Sequence, residues 1–150
     1  LKDVPDATLI VVGSGPLQAQ LAAGLAPFGE RARMIEAQPL PRVPLFMAAA
    51  DVLVLPSHNE GTPNGVLEAL ACGRRVVGTT VGGVPDVLAS AELGALAPPR
   101  DPDRFGAALA TALRTSYDPG VVAARGARGG WDASAAALHE SPGPLPGACH

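Results

Sequence analysis

The sequence predicts an α/β chain in which a parallel sheet carries helices on both faces. Short apolar, β-branched runs recur along it, each ended by glycine, proline or a polar turn. Segments with helical spacing lie between those runs. The joining loops are short, and strands that alternate with helices through short loops build a right-handed parallel sheet. At 150 residues, 47% of them hydrophobic, the chain has the material for one core.

Thr8 to Val12 is a continuous apolar run stopped by Gly13, the pattern of a strand buried on both faces. Pro16 to Leu25 follows, with Leu17, Leu21 and Leu25 at helical spacing and a proline where a helix start tolerates one. Arg33 to Ile35 forms a short second strand and Val43 to Ala50 a short apolar helix. Val52 to Leu55, stopped by Pro56, is the third strand. Gly65 to Cys72 is helical, Val76 to Gly78 is the fourth strand, and Val84 to Leu88 makes one or two helical turns. Ala95 to Ala97 gives a fifth strand, and a helix runs from Pro102 to Leu113. Val121 to Leu138 holds one or two more helices around Trp131. Residues 1–140 are expected to form one domain and 141–150 a loose tail rich in proline and glycine.

Composition removes several functions. The net charge of −3 supplies no basic stripe for nucleic acid. Aromatic residues make up 3%, too few for a base- or sugar-stacking platform. Cys72 and Cys149 suggest neither a disulfide framework nor a zinc site, His139 and His150 form no metal-ligand pattern, and His58 reads as a solvated loop residue, not a catalytic one. A reducing cytoplasm is the expected compartment. No apolar run approaches the roughly 18–20 residues of a membrane span. The chain opens Leu1-Lys2-Asp3 without an initiating Met or a secretory leader, and is expected to begin inside a longer protein.

Ligands of parallel sheets bind beyond the carboxyl ends of the strands. Those ends are Gly13-Ser14-Gly15, Glu36-Ala37-Gln38, Ser57 to Glu60, and Thr79 to Gly83. The most informative segment is Glu60-Gly61-Thr62-Pro63-Asn64-Gly65-Val66-Leu67-Glu68. Thr62 is expected to cap a helix that Pro63 begins, leaving outward-facing amides around Asn64 and Gly65. Such a helix start favours an anion, and Gly61 and Gly65 allow a diphosphate close to the backbone. Glu68, about 9 Å further along the axis and flanked by apolar residues, needs a partner, which a ribose diol would supply. Glu60, ahead of the cap, would accept from sugar hydroxyls. The same spacing also suits a plain structural use, with Glu60 an acid near a helix start and Glu68 paired with Arg74 or Arg75.

The longer string from Pro56 through Glu60, Glu68 and Cys72 to Gly73 closely resembles the signature of the family 4 retaining glycosyltransferases, also called group 1. Val76 to Asp86 continues it, with Gly82-Gly83-Val84-Pro85-Asp86 similar to that family's Gly-Gly-x-Pro-Glu turn. Leu9 to Pro16, Ala49 to Val52, Asp101 to Leu113 and Trp131 also match, so the resemblance covers about Val4 to Leu138. It implies the C-terminal, donor-binding half of a two-domain Rossmann-like (GT-B) fold. The implied activity is transfer of a sugar from a nucleotide-diphosphate sugar with retention, without metal or other cofactor.

By position, Glu68 should hold the ribose and Glu60, the expected catalytic residue, the donor sugar. Amides near Gly61, Thr62, Asn64, Gly65 and Val66 should face sugar and diphosphate, with Gly13, Ser14 and Gly15 bordering the phosphates. The loop around Met34 to Gln38 would face the base. The expected partners are a nucleotide-sugar donor and an N-terminal acceptor domain outside this sequence, with any membrane association running through that domain. The family's Gly-Arg…Lys motif also falls outside, so this chain alone is expected to bind donor weakly or not at all and to transfer nothing. Glu36 stands where the family commonly has Gly, and Arg75 where it commonly has Pro. Two enzyme-like alternatives share the fold: a dinucleotide (NAD)-binding module built on Gly13, Gly15 and Glu36, weakened by Gln18 where a third small residue belongs, and a nucleotide-sugar epimerase. A degenerate domain that only packs on a partner is the non-enzymatic one.

Overall fold

A computed structural model describes residues 1–2 and 4–126. The expected helix reaching Leu138, Trp131, His139, Cys149, His150 and the boundary at residue 140 lie outside the described residues. Within them the elements follow in the expected order. They are β1 (Leu9–Val12), α1 (Gln18–Leu25), β2 (Ala32–Ile35), α2 (Val43–Ala49), β3 (Val52–Leu55), α3 (Asn64–Ala71), β4 (Arg75–Thr79), α4 (Val84–Val87), β5 (Gly94–Ala97), α5 (Pro102–Arg114) and α6 (Pro119–Gly126). Two short 3-10 helices, Ala26–Arg31 and Leu40–Arg42, lead into β2 and α2.

Every strand pair is parallel. The expected single sheet is divided, however, into a two-stranded ladder, β1-β2, and a three-stranded one, β3-β4-β5. An open cavity of about 1080 Å³ lies between them, lined by Leu9 and Ile10 on one side and Val52, Val54 and Tyr117 on the other. The Arg31 guanidinium gathers the carbonyl of Pro5 at 2.7 Å, with those of Val4 and Leu1 at 3.4 and 3.5 Å, which ties the segment ahead of β1 to the helical turn that leads into β2.

The second ladder holds the core. All five residues of β4 are buried, as a central strand covered on both faces requires. Successive side chains of a strand point to opposite faces, and the packing divides accordingly. Val76 joins the cluster of Met47, Val66, Leu70, Val84 and Val122 from the helices of one face. Val77 falls outside that cluster, while α5 packs on β3, β4 and β5 and buries Ala110 and Ala112. Helices therefore cover both faces. Gly78 allows this approach, since a Cβ there would lie 2.9 Å from the Val84 side chain.

The first ladder corrects one expectation. β1 alternates half-buried and exposed residues instead of being buried on both faces, with Ile10 51% exposed. Its four residues pair on one side only, and none of the helices on the β3-β4-β5 core reaches across to it as a principal contact. Continuous apolar composition marks a strand but does not say what covers it.

Candidate donor-binding site

The carboxyl ends of β3, β4 and β5 lie along one edge, set by the pairings Leu55 with Gly78 and Thr79 with Ala97. Two segments leave this edge: the loop from Pro56 to Pro63 ahead of α3, and the turn from Thr80 to Gly83 ahead of α4. They are fastened to each other. Thr79, 3% exposed, donates through Oγ1 to the Ser57 carbonyl at 2.6 Å. The Gly83 amide donates to the Gly61 carbonyl at 3.1 Å. Gly82 sits at φ +50, and a Cβ there would fall 1.7 Å from the Glu60 carbonyl oxygen. Only glycine fits that contact.

On this support Ser57 donates through Oγ to Oε1 of the half-buried Glu60 at 2.6 Å. The start of α3 differs from expectation. Pro63, not Thr62, occupies the cap position, and no side chain caps the helix. The cause is local: Asn64 N–H closes onto the Thr62 carbonyl at 2.9 Å, and Pro63 at ψ 76 is not yet helical. The Val66 and Leu67 amides both take the Pro63 carbonyl. Gly65 N–H finds no acceptor among the described residues, as the first turn of a helix allows. A Cβ at Gly61 or Gly65 would meet nothing within 4 Å, so space over both backbones is open.

Glu68 is the fifth residue of α3, about 6 Å from its start at ~1.5 Å per residue. α3 buries Val66, Ala69 and Leu70, and Glu68 falls off that stripe. It is exposed, and among the described residues its carboxylate has no hydrogen bond or ion pair, while its backbone carbonyl accepts from the Cys72 amide. The sequence pattern overstated its burial. Nor does it pair with an arginine: Arg75 is buried and donates to the Ala91 carbonyl at 2.6 Å, with Tyr117 beside its guanidinium.

The remaining expected residues lie on the first ladder. Gly13 takes φ +137 and donates to the Ile35 carbonyl at 2.9 Å, joining the two strand ends, while Ser14 and Gly15 are exposed. Among the described residues no hydrogen bond links this turn to the α3 loop. The structure thus unites Glu60, Gly61, Thr62, Asn64, Gly65, Val66 and Glu68 on one loop and helix, and sets Gly13, Ser14 and Gly15 on a separate support. Sequence reasoning placed Ser57, Thr79, Gly82 and Gly83 in the loops at the strand ends but assigned them no part in building the site. Ser57 and Glu60 stand at the Ser-x-x-Glu spacing of a capping box, a signal that a reciprocal hydroxyl–carboxylate contact was within reach.

Fold and candidate site together describe a parallel α/β domain with, at the carboxyl ends of its strands, a helix start that has a carboxylate ahead of it and another along it. The model of the family Glycosyl transferases group 1 matches residues 1–115, and the chain belongs to that family. It is 37% identical over 131 residues to the D-inositol 3-phosphate glycosyltransferase of Thermobispora bispora, an alignment covering 83% of this chain and 30% of that protein. The chain thus spans less than a third of that relative's length. Among solved structures, the apo lipopolysaccharide outer core galactosyltransferase WaaB superposes with a TM-score of 0.71 at 21% identity, over 83% of this chain and 38% of that one. Anabaena HepE in complex with UDP-glucose superposes with a TM-score of 0.57 at 19% identity, over 84% and 42%. Both show the same fold.

Proposed function

We propose that the chain is the donor-binding part of a retaining glycosyltransferase, gripping a nucleotide-diphosphate sugar along the loop and helix from Glu60 to Glu68. One observation carries this: an unpartnered, exposed carboxylate at Glu68 lies a little over one turn inside a helix whose first turn has a free amide and open glycines, with Glu60 held ahead of it. A diphosphate over Gly61 and Gly65 would meet backbone N–H groups and the positive end of the helix dipole. Glu68 would accept from the ribose hydroxyls, and Glu60 from the sugar.

The family resemblance supplies the retaining course and the absence of a metal requirement. Amides and dipole would stabilise the diphosphate as it departs, the charge that develops in the transition state. Gly13, Ser14 and Gly15 would border the phosphates from the first ladder. An acceptor-binding domain and further basic groups would come from the rest of a longer protein, and this chain alone would transfer no sugar. Among the described residues no helix is long and apolar enough to cross a membrane. A cytoplasmic location agrees with that observation.

Calorimetric titration with UDP, GDP, ADP, NAD and nucleotide sugars, repeated on Glu68→Ala, tests the assignment. One nucleoside diphosphate should bind, and its affinity should fall about tenfold or more in the variant, the loss of hydrogen bonds to a charged group. NAD binding that survives the substitution would overturn the assignment in favour of a dinucleotide module.

A further inference from the structure

Glu60 is held from two directions. Its backbone is backed by the Gly82 turn, whose Cα lies so close to the Glu60 carbonyl that no side chain fits between them. The adjoining Gly61 carbonyl is taken by the Gly83 amide at 3.1 Å. Its carboxylate is taken at Oε1 by the Ser57 hydroxyl at 2.6 Å. Ser57 is anchored in turn: its carbonyl accepts at 2.6 Å from Thr79, a buried residue at the end of the fully buried β4. A continuous line of contacts therefore runs from the fully buried β4 to one carboxylate oxygen at the candidate ligand edge.

We propose that Ser57 is a positioning residue that holds the Glu60 carboxylate by one oxygen and leaves the other for a hydroxyl of the donor sugar. This rests on the donor-site assignment and extends it to how the sugar end is gripped. A carboxylate offers about four acceptor positions over two oxygens, so one hydroxyl at Oε1 leaves capacity at both and a fixed orientation for Oε2. Hydroxyl–carboxylate bonds are short and among the stronger hydrogen bonds. A glutamate left loose would have to give up its rotamer freedom when sugar binds, and that cost weakens binding. With Ser57 in place much of the ordering precedes the ligand. The effect is confined to the sugar, because the diphosphate contacts fall on backbone amides from Gly61 to Gly65 and the ribose contacts on Glu68, not on the Glu60 side chain.

The test compares the wild-type chain with Ser57→Ala, Ser57→Thr and Glu60→Ala. The first measurement is ¹³C relaxation of the Glu60 side-chain methylenes without ligand. Ser57→Ala should give Glu60 the mobility of exposed Glu68, and Ser57→Thr, which keeps the hydroxyl, should preserve order. The second is affinity for a nucleotide sugar and for its parent nucleoside diphosphate. Ser57→Ala should weaken the nucleotide sugar about tenfold and leave the nucleoside diphosphate within about twofold, with Ser57→Thr restoring most of the loss. A role limited to loop stability would weaken both ligands alike. Unchanged Glu60 order in Ser57→Ala overturns the proposal, whether or not the chain binds ligand. If Glu60→Ala weakens the nucleotide sugar but Ser57→Ala does not, positioning by Ser57 fails and the donor site stands. If Glu60→Ala leaves both affinities unchanged, it is the assignment of Glu60 to the sugar that fails.

Discussion

The two ladders are built from the same few residue types and end up in opposite conditions. Among the described residues of 1–46 none is buried, and α1 buries nothing along its whole length. Ile10, Leu17 and Leu21 are 51%, 67% and 40% exposed. In the second ladder β4 is buried throughout, and Val66, Val76, Val84 and Val122 are at most 1% exposed. Hydrophobic content does not account for the contrast, since α1 is itself an apolar helix. Cover does: α5 lies across β3, β4 and β5, and α3 is packed among α2, α4 and α6. Alanine-rich α1 has little side chain to reach for a partner. The consequence for function is that the two parts of the expected site stand on unlike foundations. The Glu60–Glu68 segment is tied to the core strand, whereas Gly13, Ser14 and Gly15 ride on the thinly covered ladder.

A pair of leucine truncations would break that contrast if it is wrong. Leu70, 1% exposed on α3, should cost about 2–5 kcal/mol as Leu70→Ala, the usual loss for a core leucine with its cavity. Leu21→Ala on α1 should cost under about 1 kcal/mol, because little burial is lost and alanine favours the helix. Urea midpoints of the two variants decide it, and equal losses would mean that the ladders share one core.

Gly82→Ala sharpens the same contrast at the site. Alanine at φ +50 costs about 1–2 kcal/mol for the backbone alone, and its Cβ would overlap the Glu60 carbonyl. We expect a stability loss of at least that size, and a displaced Glu60 loop visible as amide shift changes concentrated over residues 57–65. Shifts confined to the turn itself would show that the loop is not braced by Gly82.

Much of this was legible in the residues. Val52 to Leu55 announced β3 to the residue, because a β-branched apolar run between Asp51 and Pro56 has few alternatives. The Glu60–Glu68 segment announced its helix and its two carboxylates. Three matters were not legible. Strand pairing between β1 and β3 depends on what lies between their edges, which local pattern does not encode. The exposure of Glu68 depends on which side of α3 meets β4, and a helix apolar nearly all round hides that choice. The Ser57–Glu60 contact depends on a loop conformation imposed by Gly82, more than 20 residues further along the chain, so only the third dimension reveals it.

The two helix starts give the smallest and cleanest comparison. From the sequence Thr62, ahead of Pro63, is expected to be a capping residue, and Asp101 stands likewise ahead of Pro102. Only Asp101 caps its helix. Asp101 accepts from the Arg104 amide at 3.0 Å and adds an exposed ion pair with the Arg104 side chain, while Thr62 gives α3 no side-chain bond. Exposed ion pairs contribute little, so the difference rests on the cap. Asp101→Ala should therefore cost about 1 kcal/mol and Thr62→Ala less than about 0.5 kcal/mol, both read from thermal or urea unfolding. The functional order should be the reverse. Asp101 opens α5, a helix that carries none of the expected donor contacts, and its loss should leave nucleotide affinity unchanged. Thr62 lies between Gly61 and the free amide of Gly65, so its hydroxyl borders the space assigned to the diphosphate. A Thr62→Ala variant that keeps full stability but binds nucleoside diphosphate more weakly would place an open helix start in the service of the ligand. One that loses stability like Asp101→Ala would restore the cap that the sequence suggested.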